Sequence, residues 1–200
     1  MKHFSLKLSI ILMISTLLVS CITSSTSETD TLKVVAWNIW HGGHEKEYPI
    51  KGCQGVKEIL KATEADIILM IETYGASPQI ADALGYYHRL ISNNLSIYSR
   101  YPIIDTYTFK DSISNFNFGG VMINKDGQKI RVFDTWIHYL PDTSLVPTDS
   151  TEAQILEWEN EGTRDDEIKT ILNVIKPYIY ESDYIPIIMG GDFNSHSHLD

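Results

Sequence analysis

Basic residues are scarce in this chain. Its 200 residues include 16 Lys and Arg against 26 Asp and Glu, a formal net charge of −10. No run of Lys or Arg follows Lys7. Tight binders of nucleic acid present a basic stripe to the phosphate backbone, so no stable nucleic-acid complex is expected. Chemistry on nucleic acid stays open, because a bound metal ion can supply positive charge locally. Cysteine is as sparse, with Cys21 and Cys53 alone. Long apolar runs are missing too: "LSIILMISTLLV" (Leu8–Val19) is too short to span a bilayer as a helix. Internal repeats and a second linker are also absent, which leaves room for one sizeable domain.

The first residues have the layout of a secretory signal. Lys2, His3 and Lys7 precede the apolar run, and "LVSC" ends it at Cys21. "LVSC" resembles the lipobox of bacterial lipoproteins, in which the cysteine becomes the lipidated first residue; the alternative is an ordinary cleaved signal. The expectation is a signal over residues 1–21 and a flexible tether over 22–31. The protein would then be exported and held through Cys21 on the periplasmic or cell-surface side of a membrane, as a monomer. With Cys21 acylated, Cys53 could form no intramolecular disulfide.

From residue 32 to 200 the pattern is that of one α/β domain. "TLKVVAWN" alternates like a strand, and "ADIILMIE" is a short continuous apolar run suited to a fully buried strand. Between them Val56, Ile59, Leu60 and Thr63 recur at helical spacing, with Cys53 at the helix start. A short helix around "PQIADALG" and strands in "YYHRLI", "LSIYSR" and "PIIDTYTF" follow. Asp126-Gly127 is a strong hairpin signal; on its second strand Ile130, Val132, Asp134, Trp136 and His138 share one face. Residues 151–176 read as helix with a stripe of Ile168, Ile171, Leu172 and Ile175. "YIPIIMGGDFN" closes as a buried strand entering a loop. Helices interleaved with buried strands imply sheets covered by helices on the outside.

Polar residues sit where these apolar runs stop. Asn38 ends the first strand, Glu72 the second, His138 the hairpin strand, and Asp192 with Asn194 the last. Such ends converge on one rim of a sheet, where ligands bind. Glu72 and Asp192 are hard oxygen ligands suited to a divalent ion such as Mg²⁺. Asn38 and Asn194 can hold a water or a phosphate oxygen without adding charge, and His138 can donate a hydrogen bond or carry a proton. Asp192 and Asn194 are two apart, so an extended segment points them the same way. Gly190-Gly191 before the acid implies close backbone approach or an unusual φ. Together these are the parts for metal-assisted attack of water on a phosphoester.

"VVAWNIW", "ADIILMIE", "VFDTWIHY" and "IIMGGDFN", in this order, resemble the endonuclease/exonuclease/phosphatase superfamily over essentially all of Leu32 to Asp200. The resemblance implies a four-layer α/β sandwich of two mixed β-sheets flanked by helices. It implies a divalent-metal-dependent phosphoester hydrolase, with Glu72 and Asp192 binding Mg²⁺ or Mn²⁺. It further implies Asn38 beside the metal and phosphate, His138 on the phosphate, and Asp192 with Asn194 activating the nucleophile. Arg164 is similar to a helix arginine of the family and is expected to be structural.

The chain departs from that pattern after "GDFN". Members of the family continue to a later Ser-Asp-His-like motif, and no Asp-His dipeptide occurs here. His196 and His198 lie too close to the Asp-Asn pair to replace it; they flank the substrate mouth or are solvated loop residues. His41, in "NIWHGGHEKE", is expected on the substrate rim. His41 and His44 have the spacing for a transition metal but no further ligands in register. The expectation is a C-terminally truncated member that folds poorly and turns over little, with hydrolysis belonging to the full-length parent. The alternative is a catalytically inactive lipoprotein, or a fragment, that keeps the fold for binding. Acidity and surface anchoring favour small or lipid-like phosphoesters over duplex DNA.

Overall fold

A computed structural model describes residues 31–43, 52–140, 142, 145–160, 164–181 and 184–195. The signal, Cys21, the tether to residue 30, His44, His196 and His198 lie outside the described residues. From Leu32 onward the chain forms one unit. Its elements are β1 (Val34–Asn38), α1 (Gly52–Thr63), β2 (Ile67–Ile71), α2 (Ser77–Leu84), β3 (Tyr87–Leu90), β4 (Ser96–Ser99), β5 (Ile103–Tyr107), β6 (Phe118–Lys125), β7 (Gln128–Trp136), α3 (Glu152–Asn160), α4 (Arg164–Tyr180) and β8 (Ile187–Asp192).

Two four-stranded mixed sheets carry the fold, ordered β1-β2-β4-β3 and β5-β6-β7-β8. β1 runs parallel to β2, and β8 parallel to β7. Between the sheets lie Ile67, Leu69, Ile71 and Ile97 from one and Val121, Ile123, Ile130 and Val132 from the other. Outside the first sheet, Val56 and Leu60 of α1 and Ile80 of α2 cover Ile68, Met70 and Tyr98. Outside the second, Ile171 and Ile175 of α4 cover Phe118 and Phe133. The layers are therefore helix, sheet, sheet, helix, and β2 is buried at every position, as its unbroken apolar run requires.

Two readings change here. The helical stretch 151–176 is two helices, α3 and α4, and α4 runs on through Pro177 to Tyr180. Its expected stripe is only partly inward: Ile171 and Ile175, one i,i+4 row, are buried, while Leu172 is 49% exposed. The hairpin strand stops at Trp136, short of His138: the Ile137 amide makes the last rung to β8, at the Asp192 carbonyl, and the His138 amide turns away to the Glu167 carboxylate of α4.

Asp134 is the costliest residue of the inner face. It lies opposite Gly119 on β6 and Gly190 on β8, so there is room for a carboxyl but no side chain to pair with it. Neither oxygen has a hydrogen-bond partner. Burial holds its pKa well above the ordinary carboxylate value. A raised folded-state pKa means that the native state binds the extra proton, so stability falls as pH rises above the normal Asp range. The slope is about 1.4 kcal/mol per pH unit until the folded pKa is passed. Asp134→Asn should flatten this dependence and raise stability most at alkaline pH. Urea midpoints of both proteins at pH 5 and pH 8 check it; parallel losses in the two proteins would count against an ionising Asp134.

Candidate active site

Three strand ends from two sheets meet through one amide. Asn38 closes β1, Glu72 follows β2 and Asp192 closes β8. Asn38 Nδ2 donates to Glu72 Oε1 at 2.9 Å and to Asp192 Oδ2 at 2.9 Å. Its Oδ1 accepts the Trp40 amide at 2.9 Å. The Glu72 carboxylate also accepts the His41 amide at 3.1 Å, and Gly42 N–H donates to the Glu72 carbonyl. Two carboxylates that would repel each other are thus bridged by a neutral donor and left open on one side.

The supports beneath are buried. Asn94, fully buried, accepts the Glu72 amide on Oδ1 at 2.9 Å and donates Nδ2 to the Phe116 carbonyl at 2.9 Å. It ties the Glu72 turn to the loop before β6. Arg164, 5% exposed, donates one nitrogen to the carbonyls of Tyr139 (3.1 Å) and Asn194 (2.7 Å). Arg164 touches two backbone carbonyls of the loops at the site. Glu167, one turn on in α4, accepts the His138 amide at 2.7 Å. The spacing of Arg164 and Glu167 on one face of a helix start is a signal that sequence reading could have used.

Asn194 does not follow Asp192 in extended backbone. Its φ is +46°, its amide folds back to Asp192 Oδ1 at 2.9 Å, and its Nδ2 is taken by the Ile137 carbonyl at 2.7 Å. The two side chains are neighbours through a turn, not through strand alternation. Backbone strain gathers here: of the eight non-glycine residues with positive φ among the described residues, Trp40, His41, Glu72, Tyr74 and Asn194 all line this one site. Sparsely populated backbone of this kind clusters at functional sites.

The cavity above these groups holds about 740 Å³. Asn38, Glu72, Asp192 and Asn194 form its polar floor, and Trp40, His41, Tyr74, Phe116, Trp136 and Tyr139 its walls. His41, expected on the substrate rim, is among the residues that line the cavity. His138 is not among the lining residues. Its ring stacks on Tyr139 (centroids 4.9 Å apart) and meets the edge of Trp136. Nδ1 accepts the Leu140 amide at 3.1 Å, so the neutral ring carries its proton on Nε2 and can donate from there. Burial and the Glu72 carboxylate push the Tyr74 phenol up, which keeps it a hydrogen-bond donor. The aromatic walls were missed in the sequence, since Phe116, Trp136 and Tyr139 stand far from Trp40 and Tyr74 along the chain.

The donor set can be matched to an ion. Among the described residues no group of three or more His, Cys, Asp and Glu is arranged to hold a metal. Two carboxylates alone converge. That is unlike an all-protein zinc or calcium cage, and it suits Mg²⁺, which keeps several waters and takes one or two carboxylates plus substrate phosphate.

The chain is similar to a Caenorhabditis elegans protein, F14F9.5, at 26% identity over 190 residues, covering 89% of this chain and 58% of that protein. It thus spans under two thirds of the length of this relative. Its fold is similar to that of TDP2 from D. rerio in complex with a single-strand DNA product. The TM-score is 0.58 at 18% identity, over 83% of this chain and 62% of that one. It is also similar to a double mutant of Staphylococcus aureus beta toxin with bound magnesium ions. Here the TM-score is 0.57 at 19% identity, over 84% of this chain and 66% of that one. A family model matches residues 35–200, nearly the whole of the described fold, and the chain belongs to the Endonuclease/Exonuclease/phosphatase family.

Proposed function

We propose that this domain hydrolyses phosphoesters with the help of a divalent cation, Mg²⁺ or Mn²⁺. One observation carries the reading: Asn38 links the Glu72 and Asp192 carboxylates at the floor of an open cavity. Glu72 and Asp192 would hold the ion. When bound, it supplies positive charge against the phosphate and lowers the pKa of a coordinated water.

The side chains divide the remaining work. Asp192 keeps a lone pair on each oxygen after accepting from Asn38 and Asn194, so it can take a proton from the attacking water. Asn38 orients both acids and sets their spacing. The Tyr74 phenol, which lines the cavity, is a donor for phosphate oxygens, and His138, packed against the lining rings of Trp136 and Tyr139, would reach them only from beside the cavity. The Arg164 contacts with the Tyr139 and Asn194 carbonyls hold the two loops that follow β7 and β8. Support also comes from family membership and from the magnesium ions in the beta toxin structure.

The experiment is metal removal. The protein is dialysed against EDTA, and hydrolysis of a phosphodiester and a phosphomonoester is followed before and after Mg²⁺ or Mn²⁺ is restored. The expected outcome is loss of at least about 100-fold on chelation, with recovery on adding the ion. Activity indifferent to chelation overturns the metal assignment. No turnover of either ester under any metal favours a domain that uses the fold only for binding.

A further inference from the structure

Strand alternation alone would send Glu72 the wrong way. In β2, Ile67, Leu69 and Ile71 face the second sheet, while Ile68 and Met70 face the helices α1 and α2. An extended Glu72 would follow Met70 to the helix side. That side lies away from Asn38, the β1 partner of Ile71, and away from Asp192 of the second sheet. The chain instead turns at Glu72, whose φ is +58°, and Tyr74 follows at +35°. Through this left-handed turn the carboxylate reaches Asn38 Nδ2 at 2.9 Å.

Neither turning residue is a glycine, so neighbours must impose the conformation. Asn93 and Asn94 do so. Continuing the β2–β4 pairing past Met70 and Ser96 sets Glu72 opposite Asn94. There a side chain replaces a main-chain rung: Asn94 Oδ1 accepts the Glu72 amide at 2.9 Å. The Asn94 carbonyl accepts the Thr73 amide at 3.1 Å, and the Asn93 carbonyl the Tyr74 amide at 2.9 Å. Thr73 Oγ1 lies 3.4 Å and 3.3 Å from the same two carbonyls, and Thr73 and Asn94 are both fully buried. Three successive amides are thus pinned by one asparagine pair. Asn94 Nδ2 meanwhile donates to the Phe116 carbonyl at 2.9 Å, so only one orientation of its amide serves both side-chain bonds.

Resting on the metal-dependent reading above, we propose that Asn94 is a positioning residue for the cation, acting through Glu72 by fixing the turn that swings this carboxylate from the helix side of the first sheet to the acid floor. The carboxylate head is steered separately, by Asn38 Nδ2 on Oε1 and the His41 amide on Oε2. Without the Asn94 side chain those two donors remain, but the Glu72 amide loses its acceptor. The backbone is then free to relax toward the extended form that a glutamate prefers. Asp192 keeps its place and the second acid loses its aim. Groups that stand behind a metal ligand in this way set metal affinity by about 10–100-fold.

The test is Mn²⁺ binding to the whole chain without substrate, read from the electron paramagnetic resonance signal of the free ion. Asn94→Ala should weaken binding by about 10-fold or more, and Glu72→Gln should weaken it as well. The double variant should bind Mn²⁺ within about twofold of Glu72→Gln alone, because Asn94 acts through Glu72. Tyr98→Phe is the control: it deletes the buried bond from the Tyr98 hydroxyl to Ser77 Oγ in the same half of the fold and should leave Mn²⁺ binding unchanged. If Asn94→Ala does not fold, Asn94→Ser takes its place with the same expectations. Native Mn²⁺ affinity in a folded Asn94 variant overturns the proposal. So do losses that multiply in the double variant, an equal loss in Tyr98→Phe, or failure of both Asn94 variants to fold, since each assigns Asn94 to the fold alone. If the native chain binds no Mn²⁺, or Glu72→Gln binds it as the native chain does, the reading of the site fails and this proposal falls with it.

Discussion

Asp192→Asn should lower phosphoester hydrolysis by about 10²–10⁴-fold and leave the melting temperature almost unmoved. The substitution is nearly isosteric, yet both carboxylate oxygens already accept: Oδ1 from the Asn194 amide and Oδ2 from Asn38 Nδ2. An amide in place of the carboxylate puts an NH₂ against one of these donors whichever way it is turned. It also removes the proton acceptor and one negative charge from the pair that would hold the cation. The protein thus loses a base and cation affinity together. Initial rates at saturating and limiting Mg²⁺ separate the two losses, and a thermal melt excludes unfolding. Retention of more than a tenth of the rate at saturating Mg²⁺ would show that Asp192 is not the base.

Gly191→Ala should destabilise the fold by about 3 kcal/mol or more. At φ +144° the backbone of Gly191 is strained for any L side chain, and an added Cβ would stand 2.0 Å from the Thr135 carbonyl and 2.7 Å from its amide. Thr135 is the β7 partner of Gly191, so relief of the clash must part β8 from β7 and carry Asp192 with it. Gly127→Ala is the control. Its φ is +95°, but nothing lies within 4 Å of its Cβ, and the expected cost is about 1 kcal/mol. Urea midpoints of the two variants decide the matter: equal losses would mean that φ alone, not the Thr135 contact, sets the price.

The meeting of residues at the site was legible wherever a residue's position follows from its place at the end of an apolar run. Asn38, Glu72 and Asp192 are of this kind, because parallel or packed strands must deliver their ends to one rim. The Gly190-Gly191 pair was read as close backbone approach or an unusual φ, and Gly191 shows both, at φ +144° against Thr135, while a Cβ on Gly190 would meet the Leu69 side chain of the facing sheet at 2.9 Å. Illegible were the features set by loop backbone. Period-2 alternation carried the reading past Trp136 to His138, but the His138 amide leaves the sheet for the Glu167 carboxylate. Asn194 was read as extended, and a left-handed φ turned it back. Left-handed backbone at Trp40, Glu72 and Tyr74 defies residue preference, since bulky side chains avoid that region. Tertiary contacts impose it, among them the Asn94 clasp on Glu72 and Tyr74 N–H donating to the Asn93 carbonyl.

The bond from Asn38 to Asp192 spans 154 positions of sequence. A contact of that separation closes late in folding, after the loop entropy between its ends has been overcome by other pairings. On the ribosome, β1 and β2 emerge long before β8, so their acid and amide wait in solvent without the second carboxylate. The paired acids, and any ion they hold, therefore come into being only when β8 docks. A cation held by this pair would double as a signal that the last described strand has found its place.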